Sequence, residues 1–274
     1  MTFQHIQAVI LDWAGTAVDF GSRAPVAALQ HVFESAGVQI SVAEARKDMG
    51  RLKKDHIRTI LEQPRVSAAW QTLHVAAPQE RDVERLFTEF LPAQTDVLEE
   101  YSDVIPGVVA AVERWRAAGL RIGSTTGYTH DLMEIVRAKA AEQGYAPDAS
   151  VTPDMVGGGR PLPFMMYRNA IDLRAWPLWA FVKIGDTPVD MEEGRNAGAW
   201  CIGITETGNE LGLSEQELLT LSPADRQYRI DAAEIVLTRA GAHFTAASVA
   251  ECDDLLEEID RLLAAGHGPG GARA

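Results

Sequence analysis

Short apolar runs alternate with helical patterns along this chain, and this alternation limits the possible folds more than any other feature. Two of the helical patterns stop at a glycine, Gly119 and Gly144, which is a common way for a helix to end. Buried strands that alternate with helices are typical of a doubly wound parallel sheet, so the sequence predicts an α/β fold. The runs that we expect to form strands are AVIL (8–11), LRIGST (120–125), ASVT (149–152), AFVKIG (180–185) and AWCIGI (199–204).

Residues 22–99 interrupt the alternation, because they carry helical patterns and no convincing strand. We treat EARKDMGRLKKDHIRTILEQ (44–63) as continuous helix and ERDVERLFTEFL (80–91) as a further one. The predicted organisation is a sheet core of residues 1–21 and 100–266, a helical cap of residues 22–99, and a flexible Gly-rich tail at 267–274. Ligands bind at the carboxyl ends of the strands in such sheets, so we expect the cap to cover that edge.

Composition and charge narrow the class of protein. The chain has 274 residues, of which 46% are hydrophobic and 23% charged, as in soluble globular proteins. A net charge of −14 argues against nucleic-acid binding, while a local cationic pocket could still hold an anionic substrate. No apolar run reaches the ~18–20 residues that span a bilayer, and no secretory signal is evident. With only two distant cysteines, we expect a cytoplasmic protein that binds neither nucleic acid nor membrane.

Four polar signals follow four successive predicted strands. Taken singly, each also fits a helix cap, a turn, a surface arginine or an acidic helix start. Together they offer a nucleophilic carboxylate, a hydroxyl with backbone amides for phosphoryl oxygens, a guanidinium for a phosphate, and carboxylates for a hard cation. In chain order the signals are Asp12, then Thr126 with Gly127, then Arg160, then Asp186 with Asp190.

The order and placement of these signals resemble the haloacid dehalogenase superfamily, whose members carry them on a Rossmann-like core. The resemblance covers roughly residues 6–20 and 100–265, and the insertion has the position of that superfamily's first cap type. It implies a Mg²⁺ cofactor. The implied roles are Asp12 as nucleophile and metal ligand, Thr126, Gly127 and Arg160 as phosphate contacts, Asp186 and the Ala14 carbonyl as metal ligands, and Asp190 as their support.

Ala14 departs from the commonest form of the first motif. Relatives usually carry a second Asp two residues after the nucleophile, and that Asp protonates an oxygen leaving group. Its absence suggests that the leaving group here is not an alkoxide.

Lys53 suggests what leaves instead. Within MGRLKKDHIRTI (49–60), treated as helix, Lys53 shares a mostly less polar stripe with Met49 and His56, whereas Lys54 lies on a charged stripe. Partial desolvation lowers the pKa of a lysine toward that of a free amine, which imine formation requires, and His56 could relay its proton. Alternatively, Lys53 lies over apolar surface with its amine in water and takes no part in catalysis. The missing acid at position 14 favours the imine-forming role.

The motifs together closely resemble the phosphonoacetaldehyde hydrolase, or phosphonatase, family. They are DWAGT (12–16), MGRLKKDH (49–56), GSTTGY (123–128), GRPLP (159–163), KIGDTPVDMEEGRNAG (183–198), ELGL (210–213) and GAHFT (241–245). The resemblance implies an imine on Lys53, phosphoryl transfer to Asp12, and pocket positions at Met49, His56 and Tyr128. It also implies a small phosphonate substrate, a part in 2-aminoethylphosphonate breakdown, and a homodimer. Ser22 stays without a role.

Three other functions remain open from the sequence. A phosphatase for a small phosphomonoester would need an acid at position 14 to protonate its leaving group. A dehalogenase that attacks carbon does not need the metal site that Asp186 suggests. A non-catalytic binding protein of this fold is disfavoured because Asp12, Thr126, Arg160 and Asp186 are all present.

Overall fold

A six-stranded parallel sheet forms the core in the computed structural model, which describes residues 2–272. The strand order is β3-β2-β1-β4-β5-β6, so β1 and β4 are neighbours at the point where the chain order reverses. Ligands of doubly wound sheets bind at this switch point. The strands are β1 (Ala8–Leu11), β2 (Arg121–Thr125), β3 (Ala149–Val151), β4 (Phe181–Gly185), β5 (Trp200–Ile204) and β6 (Phe244–Ala246).

The α/β fold with a parallel sheet is confirmed, and the five predicted strands all form. Each of β1, β4 and β5 is buried along its whole length, as expected for strands that helices cover on both faces. The sixth strand, β6, overlaps the end of the GAHFT segment (241–245) and was not predicted. No helix among residues 2–272 is long and apolar enough to cross a membrane.

Helices follow the strands in the core and make up the whole insertion. The insertion contains α1 (Ala24–Ser35), α2 (Val42–Arg46), α3 (Lys53–Glu62), α4 (Pro64–His74) and α5 (Glu80–Tyr101). The core helices are α6 (Val108–Ala117), α7 (His130–Glu142), α8 (Pro153–Val156), α9 (Phe164–Asp172), α10 (Pro188–Ala197), α11 (Glu215–Thr220), α12 (Pro223–Ala240) and α13 (Asp253–Ala264).

The inserted helices have a hydrophobic cluster of their own. Helix α5 packs against α1 and α3, and the cluster between the helices is formed by residues from 26 to 90. Its largest side chains, Phe33, Trp70 and Phe90, are almost completely buried. This separate apolar cluster agrees with the interpretation of the insertion as a cap, although the exact boundaries at 22 and 99 stay a prediction.

The interpretation of residues 44–63 as continuous helix is wrong. Helix α2 ends at Arg46 and α3 begins at Lys53, because Asp48 (φ 63°) and Gly50 (φ 87°) adopt left-handed backbone between them. Met49 therefore lies in a loop and not on the helix of Lys53. The loop, residues 47–52, packs against the core so closely that a Cβ on Gly50 would lie 2.6 Å from Thr187 Oγ1.

Arg46 ties the insertion to the sheet core through backbone carbonyls. Its guanidinium donates to the carbonyls of Gly21 (2.9 Å) and Ser22 (3.2 Å), where the chain enters the insertion. It also donates to the side chain of Asn209 (3.0 Å) and to the carbonyl of Gly212 (2.9 Å), both in the core. One side chain thus holds the entry to the insertion and the ELGL segment together.

The tail differs from the expectation of a segment with little to pack. Residues 267–272 form an antiparallel hairpin of β7 (His267–Gly268) and β8 (Gly271–Ala272). Arg195 and His243 both contact the carbonyl of Pro269, at 2.8 and 2.9 Å, and so attach the hairpin to the core. Residues 273–274 lie outside the described part of the chain.

Candidate active site

Asp12 lies at the switch point of the sheet, directly after β1. Its backbone N–H donates to the carbonyl of Ile184 on β4 (2.9 Å), which continues the pairing of the two strands by one residue. Its side chain is 8% exposed, and Oδ1 accepts a hydrogen bond from the Arg160 guanidinium at 2.6 Å. The structure thus brings the first and third sequence motifs into direct contact.

A cluster of three carboxylates forms where β1 and β4 end. Asp12, Asp186 and Asp190 each place one oxygen within 4.8 Å of the others, and all three residues are buried. Burial and the charges of Asp12 and Asp190 raise the pKa of Asp186 well above its usual value. Arg160 and Lys183 outweigh burial at Asp190 and lower its pKa. The negative charge is therefore least compensated at Asp186, and an oxygen-rich cluster of this kind suits a hard divalent cation.

Backbone geometry holds Asp186 in this cluster. Oδ1 of Asp186 accepts from the Thr16 hydroxyl (3.2 Å) and Oδ2 from the backbone N–H of Asn209 (2.8 Å). Gly15, beside Ala14, has φ 84°, and a Cβ there would lie 2.1 Å from Asp186 Oδ2. The DWAGT turn therefore needs glycine both for its conformation and for the space that Asp186 occupies.

The Arg160 guanidinium is the centre of a buried ionic network that sequence reasoning found only in part. Besides Asp12, it contacts Asp190 (3.0 Å) and Glu193 (3.1 Å). Lys183, inside β4, lies 2.7 Å from Asp190 and 3.5 Å from Glu193. Burial opposes the positive charge, but the three carboxylates outweigh it and raise the pKa of Arg160. A lysine inside the apolar run AFVKIG is a sequence signal that could have revealed this network, because a buried charge needs a partner.

Lys53 is buried although it begins a helix of the insertion. Its side chain is 2% exposed, with Nζ 3.7 Å from Met49 Sδ and 5.5 Å from the centre of the Tyr128 ring. Burial lowers the pKa of Lys53 to about 8, although the charge of Asp12 acts in the opposite direction. The neighbouring Lys54 instead forms ion pairs with Glu80 and Glu84 at the surface, and those pairs raise its pKa.

His56 and Tyr128 are buried near Lys53 and remain uncharged at neutral pH. Burial, with a contribution from the charge of Lys53, lowers the pKa of His56 to about 3. Burial, followed by the negative charges of Asp19 and Asp12, raises the pKa of Tyr128 well above its usual value. The surroundings of the Lys53 amine therefore contain no charge from His56 or Tyr128 at neutral pH.

One small cavity joins the residues of the insertion to those of the core. The free space in it is about 20 Å³, which is room for about one water molecule. Of the residues predicted for the site, only His56, Asp186 and Asp190 are absent from the lining. The lining consists of Asp12, Ala14, Ser22, Pro25, Met49, Gly50, Lys53, Thr126, Gly127, Tyr128, Arg160 and Thr187.

Glycine packing brings the second motif against the insertion. A Cβ on Gly127 would lie 2.8 Å from the carbonyl oxygens of both Gly50 and Arg51. Thr126 Oγ1 accepts the backbone N–H of Tyr128 (3.1 Å), which fixes the turn that follows β2. Because α3 starts two residues after Arg51, this contact also determines where Lys53 stands relative to Asp12.

Comparison with known proteins agrees with this site. Residues 6–198 match the family of haloacid dehalogenase-like hydrolases. A phosphonoacetaldehyde hydrolase of Syntrophobacter fumaroxidans is 44% identical over 264 residues, which cover 96% of this chain and 95% of that protein. One of Bacillus cereus is 43% identical over 256 residues, covering 93% of this chain and 97% of that protein. The crystal structure of a phosphonoacetaldehyde hydrolase-like protein from Oleispira antarctica superposes with a TM-score of 0.95 at 37% identity, covering 98% of each chain.

The fold, the acidic cluster and these matches define a hydrolase with a Rossmann-like α/β core, and the chain belongs to the haloacid dehalogenase-like hydrolase family. Within that family its relatives are the phosphonoacetaldehyde hydrolases, so the resemblance inferred from the motifs is confirmed.

Replacing Gly15 by alanine should disrupt the acidic cluster. The new Cβ displaces Asp186, so we expect Gly15→Ala to lose the rise in melting temperature that a divalent cation gives the wild type. Gly119→Ala is the matched control, because Gly119 has a similar φ of 94° and nothing lies within 4 Å of its Cβ position. Both variants should lose about 1 kcal/mol of stability to backbone strain. An equal rise in melting temperature with MgCl₂ for Gly15→Ala and the wild type would contradict the assignment of this cluster as a metal site.

Proposed function

We propose that this enzyme hydrolyses phosphonoacetaldehyde to acetaldehyde and phosphate, with Lys53 and Asp12 dividing the chemistry. The observation that carries the proposal is the placement of a buried lysine, with a pKa of about 8, in the same small cavity as a buried carboxylate and an arginine. Names of relatives at 43–44% identity over almost the whole chain support the same substrate.

The amine of Lys53 handles the carbon part of the substrate. Its nitrogen adds to the aldehyde carbon, and loss of water leaves a protonated imine. When the carbon–phosphorus bond breaks, its electron pair moves into this imine and forms an enamine, so no free carbanion is produced. Protonation of the enamine carbon and addition of water then release acetaldehyde and restore Lys53.

Asp12 handles the phosphorus. Its carboxylate attacks phosphorus in line with the breaking carbon–phosphorus bond, which gives an aspartyl phosphate, and water later releases phosphate from it. Arg160, in contact with Asp12, is placed to offset the charge of the phosphoryl oxygens, together with the hydroxyl and amides of Thr126 and Gly127. A Mg²⁺ ion held by Asp12, Asp186 and the Ala14 carbonyl, with Asp190 in support, would supply further positive charge at the phosphoryl group.

Ala14 favours this reaction over hydrolysis of a phosphomonoester. It lines the cavity, and an alkoxide that left there would find no carboxylic acid at position 14 to protonate it. The enamine needs no such proton on oxygen. Met49, Tyr128 and His56 surround the amine as pocket residues, and the product classes fit a role in 2-aminoethylphosphonate breakdown.

We further propose a cytoplasmic homodimer. Both cysteines, Cys201 and Cys252, are buried free thiols, which fits a reducing compartment. Three large apolar side chains are exposed at i, i+3 and i+7 on one face of α9, namely Phe164, Tyr167 and Ile171, and a second copy could cover them.

Reductive trapping tests the imine. Borohydride added with phosphonoacetaldehyde should leave a reduced adduct on the peptide that contains Lys53, identified by mass spectrometry. Lys53→Arg should lose the adduct and about 10⁴-fold or more of the activity, because Lys53 is the one lysine within residues 2–272 that lines the cavity. Lys54→Arg changes the adjacent exposed lysine and should keep both. Full activity of Lys53→Arg without an adduct would rule out the mechanism.

The reactivity of Lys53 should depend on pH near neutrality. With a pKa of about 8, about one tenth of Lys53 is free amine at pH 7, and the fraction rises with pH to about nine tenths at pH 9. Competitive labelling with acetic anhydride, measured by mass spectrometry from pH 6 to 11, should give a midpoint near 8 for Lys53. Lys54 serves as the internal control, and its midpoint should exceed 10.5. Equal midpoints for the two lysines would contradict the effect of burial.

Removal of the nucleophile should separate the two halves of the reaction. Asp12→Asn should reduce phosphate release by about 10⁴-fold or more and abolish the acid-stable phosphoprotein seen after a rapid quench with labelled substrate. The adduct on Lys53 should still form, because imine formation does not need Asp12. Asp131→Asn, which changes an exposed aspartate on α7, should behave as the wild type. Phosphate release by Asp12→Asn at the wild-type rate would disprove the assignment.

A further inference from the structure

Glu193 is a buried carboxylate that the proposed chemistry leaves without a role. It lies inside α10, within the motif KIGDTPVDMEEGRNAG (183–198), and is completely buried, yet the motif analysis assigned it no role. Its Oε2 accepts from Arg160 Nε (3.1 Å) and from the Thr125 hydroxyl (2.8 Å). A buried carboxylate is unfavourable unless its partners make use of the charge, so its position calls for an explanation.

The contacts of Arg160 show what Glu193 does to the guanidinium. One terminal nitrogen donates to Asp12 Oδ1 (2.6 Å) and Thr125 Oγ1 (2.8 Å) and lies 3.0 Å from Asp190. Nε is held by Glu193. Within residues 2–272, the other terminal nitrogen, NH1, is buried and has no hydrogen-bond partner, although Arg160 lines the cavity.

Thr125 locks this arrangement in place. Its hydroxyl donates to Glu193 and accepts from both Arg160 and Lys183 Nζ (2.9 Å), so its hydrogen and both lone pairs are used. A network in which each member fixes the next leaves the guanidinium a single orientation.

We propose that Glu193 is a positioning residue that holds Nε of Arg160 and so keeps NH1 free to bind an oxygen of a tetrahedral phosphorus oxyanion. The identity of that anion, the phosphonate of the substrate and the phosphate product, rests on the proposed function. Without the charge of Glu193, the remaining carboxylates, Asp12 and Asp190, both attract the guanidinium from its other side. The group then turns toward them, and NH1 is lost to the anion.

Charge alone predicts the opposite effect, which makes the inference testable. Loss of a negative charge beside the site would strengthen the binding of a phosphate if Glu193 acted only through its long-range field. Loss of orientation weakens that binding.

The test compares phosphate affinity in Glu193→Gln, Glu193→Asp and Glu192→Gln. Inorganic phosphate is titrated into the full-length protein with MgCl₂ by calorimetry and is also measured as an inhibitor. We expect about tenfold or greater loss of phosphate affinity in Glu193→Gln, which keeps the size of the side chain. We expect a smaller loss in Glu193→Asp, whose carboxylate keeps the charge. Glu192→Gln removes the same charge from the adjacent, half-buried residue and should bind phosphate as the wild type does.

Labelling of Lys53 by acetaldehyde and cyanoborohydride separates orientation from loss of the fold. Acetaldehyde carries no phosphonate, so this labelling should be unchanged in Glu193→Gln. Phosphate affinity equal to or tighter than wild type in Glu193→Gln overturns the inference. If Glu193→Gln loses its fold, Glu193→Asp decides by the same criterion. If the wild type binds phosphate but neither cleaves phosphonoacetaldehyde nor forms the Lys53 adduct, the proposed function fails while the comparison of the variants still decides the role of Glu193.

Discussion

Burial of charge at the carboxyl edge of the sheet is the constraint on which the rest of the site depends. Asp12, Arg160, Lys183, Asp190 and Glu193 are all almost completely buried, and each is paired with another of the group. Buried ions are tolerated only when they satisfy one another, so the five side chains fix each other's positions. Arg160 and Lys183 pair with Asp12 and Asp190 but not with Asp186. The carboxylate of Asp186 therefore lacks a cationic partner among residues 2–272, which makes the cluster suitable for a metal ion.

A second constraint is the close contact between the loop at 47–52 and the core. Gly50 meets Thr187, and Gly127 meets the carbonyls of Gly50 and Arg51, at distances that admit no Cβ. Helix α3 starts immediately after this loop, so its first residue, Lys53, enters the cavity that Asp12 lines from the other side. The position of the amine is therefore set by backbone packing, while the position of the carboxylate is set by the sheet and the ionic network.

Strands β1 to β5 were predictable because apolar runs bounded by glycine and polar turns have few other interpretations, and the four motifs follow from where strands β1 to β4 end. The break between α2 and α3 was missed although Asp48 and Gly50 are residue types that adopt left-handed backbone readily, because the charged and apolar pattern continues through them. The close packing of Gly50 against Thr187 and Val189, which the sequence does not show, fixes the loop in place. Lys53 and Met49 were paired correctly but for the wrong reason: they meet across a loop and not along a helix. Thr125 and Glu193 escaped notice because a hydroxyl in a strand and a glutamate in a helix are common, and only the three-dimensional network makes them unusual.

Ala14 gains a second meaning from the surroundings of Lys53. The proposed imine needs a free amine, and burial provides it by lowering the pKa of Lys53, while the nearby charge of Asp12 already acts against this. Position 14 lines the same cavity, so a carboxylate there would add another negative charge and favour the protonated, unreactive lysine. An acid at position 14 would therefore be unnecessary for the leaving group and would also hinder imine formation in the proposed reaction. In the proposed mechanism, alanine at position 14 omits an acid that the leaving enamine does not need and leaves the amine of Lys53 without a second negative charge beside it.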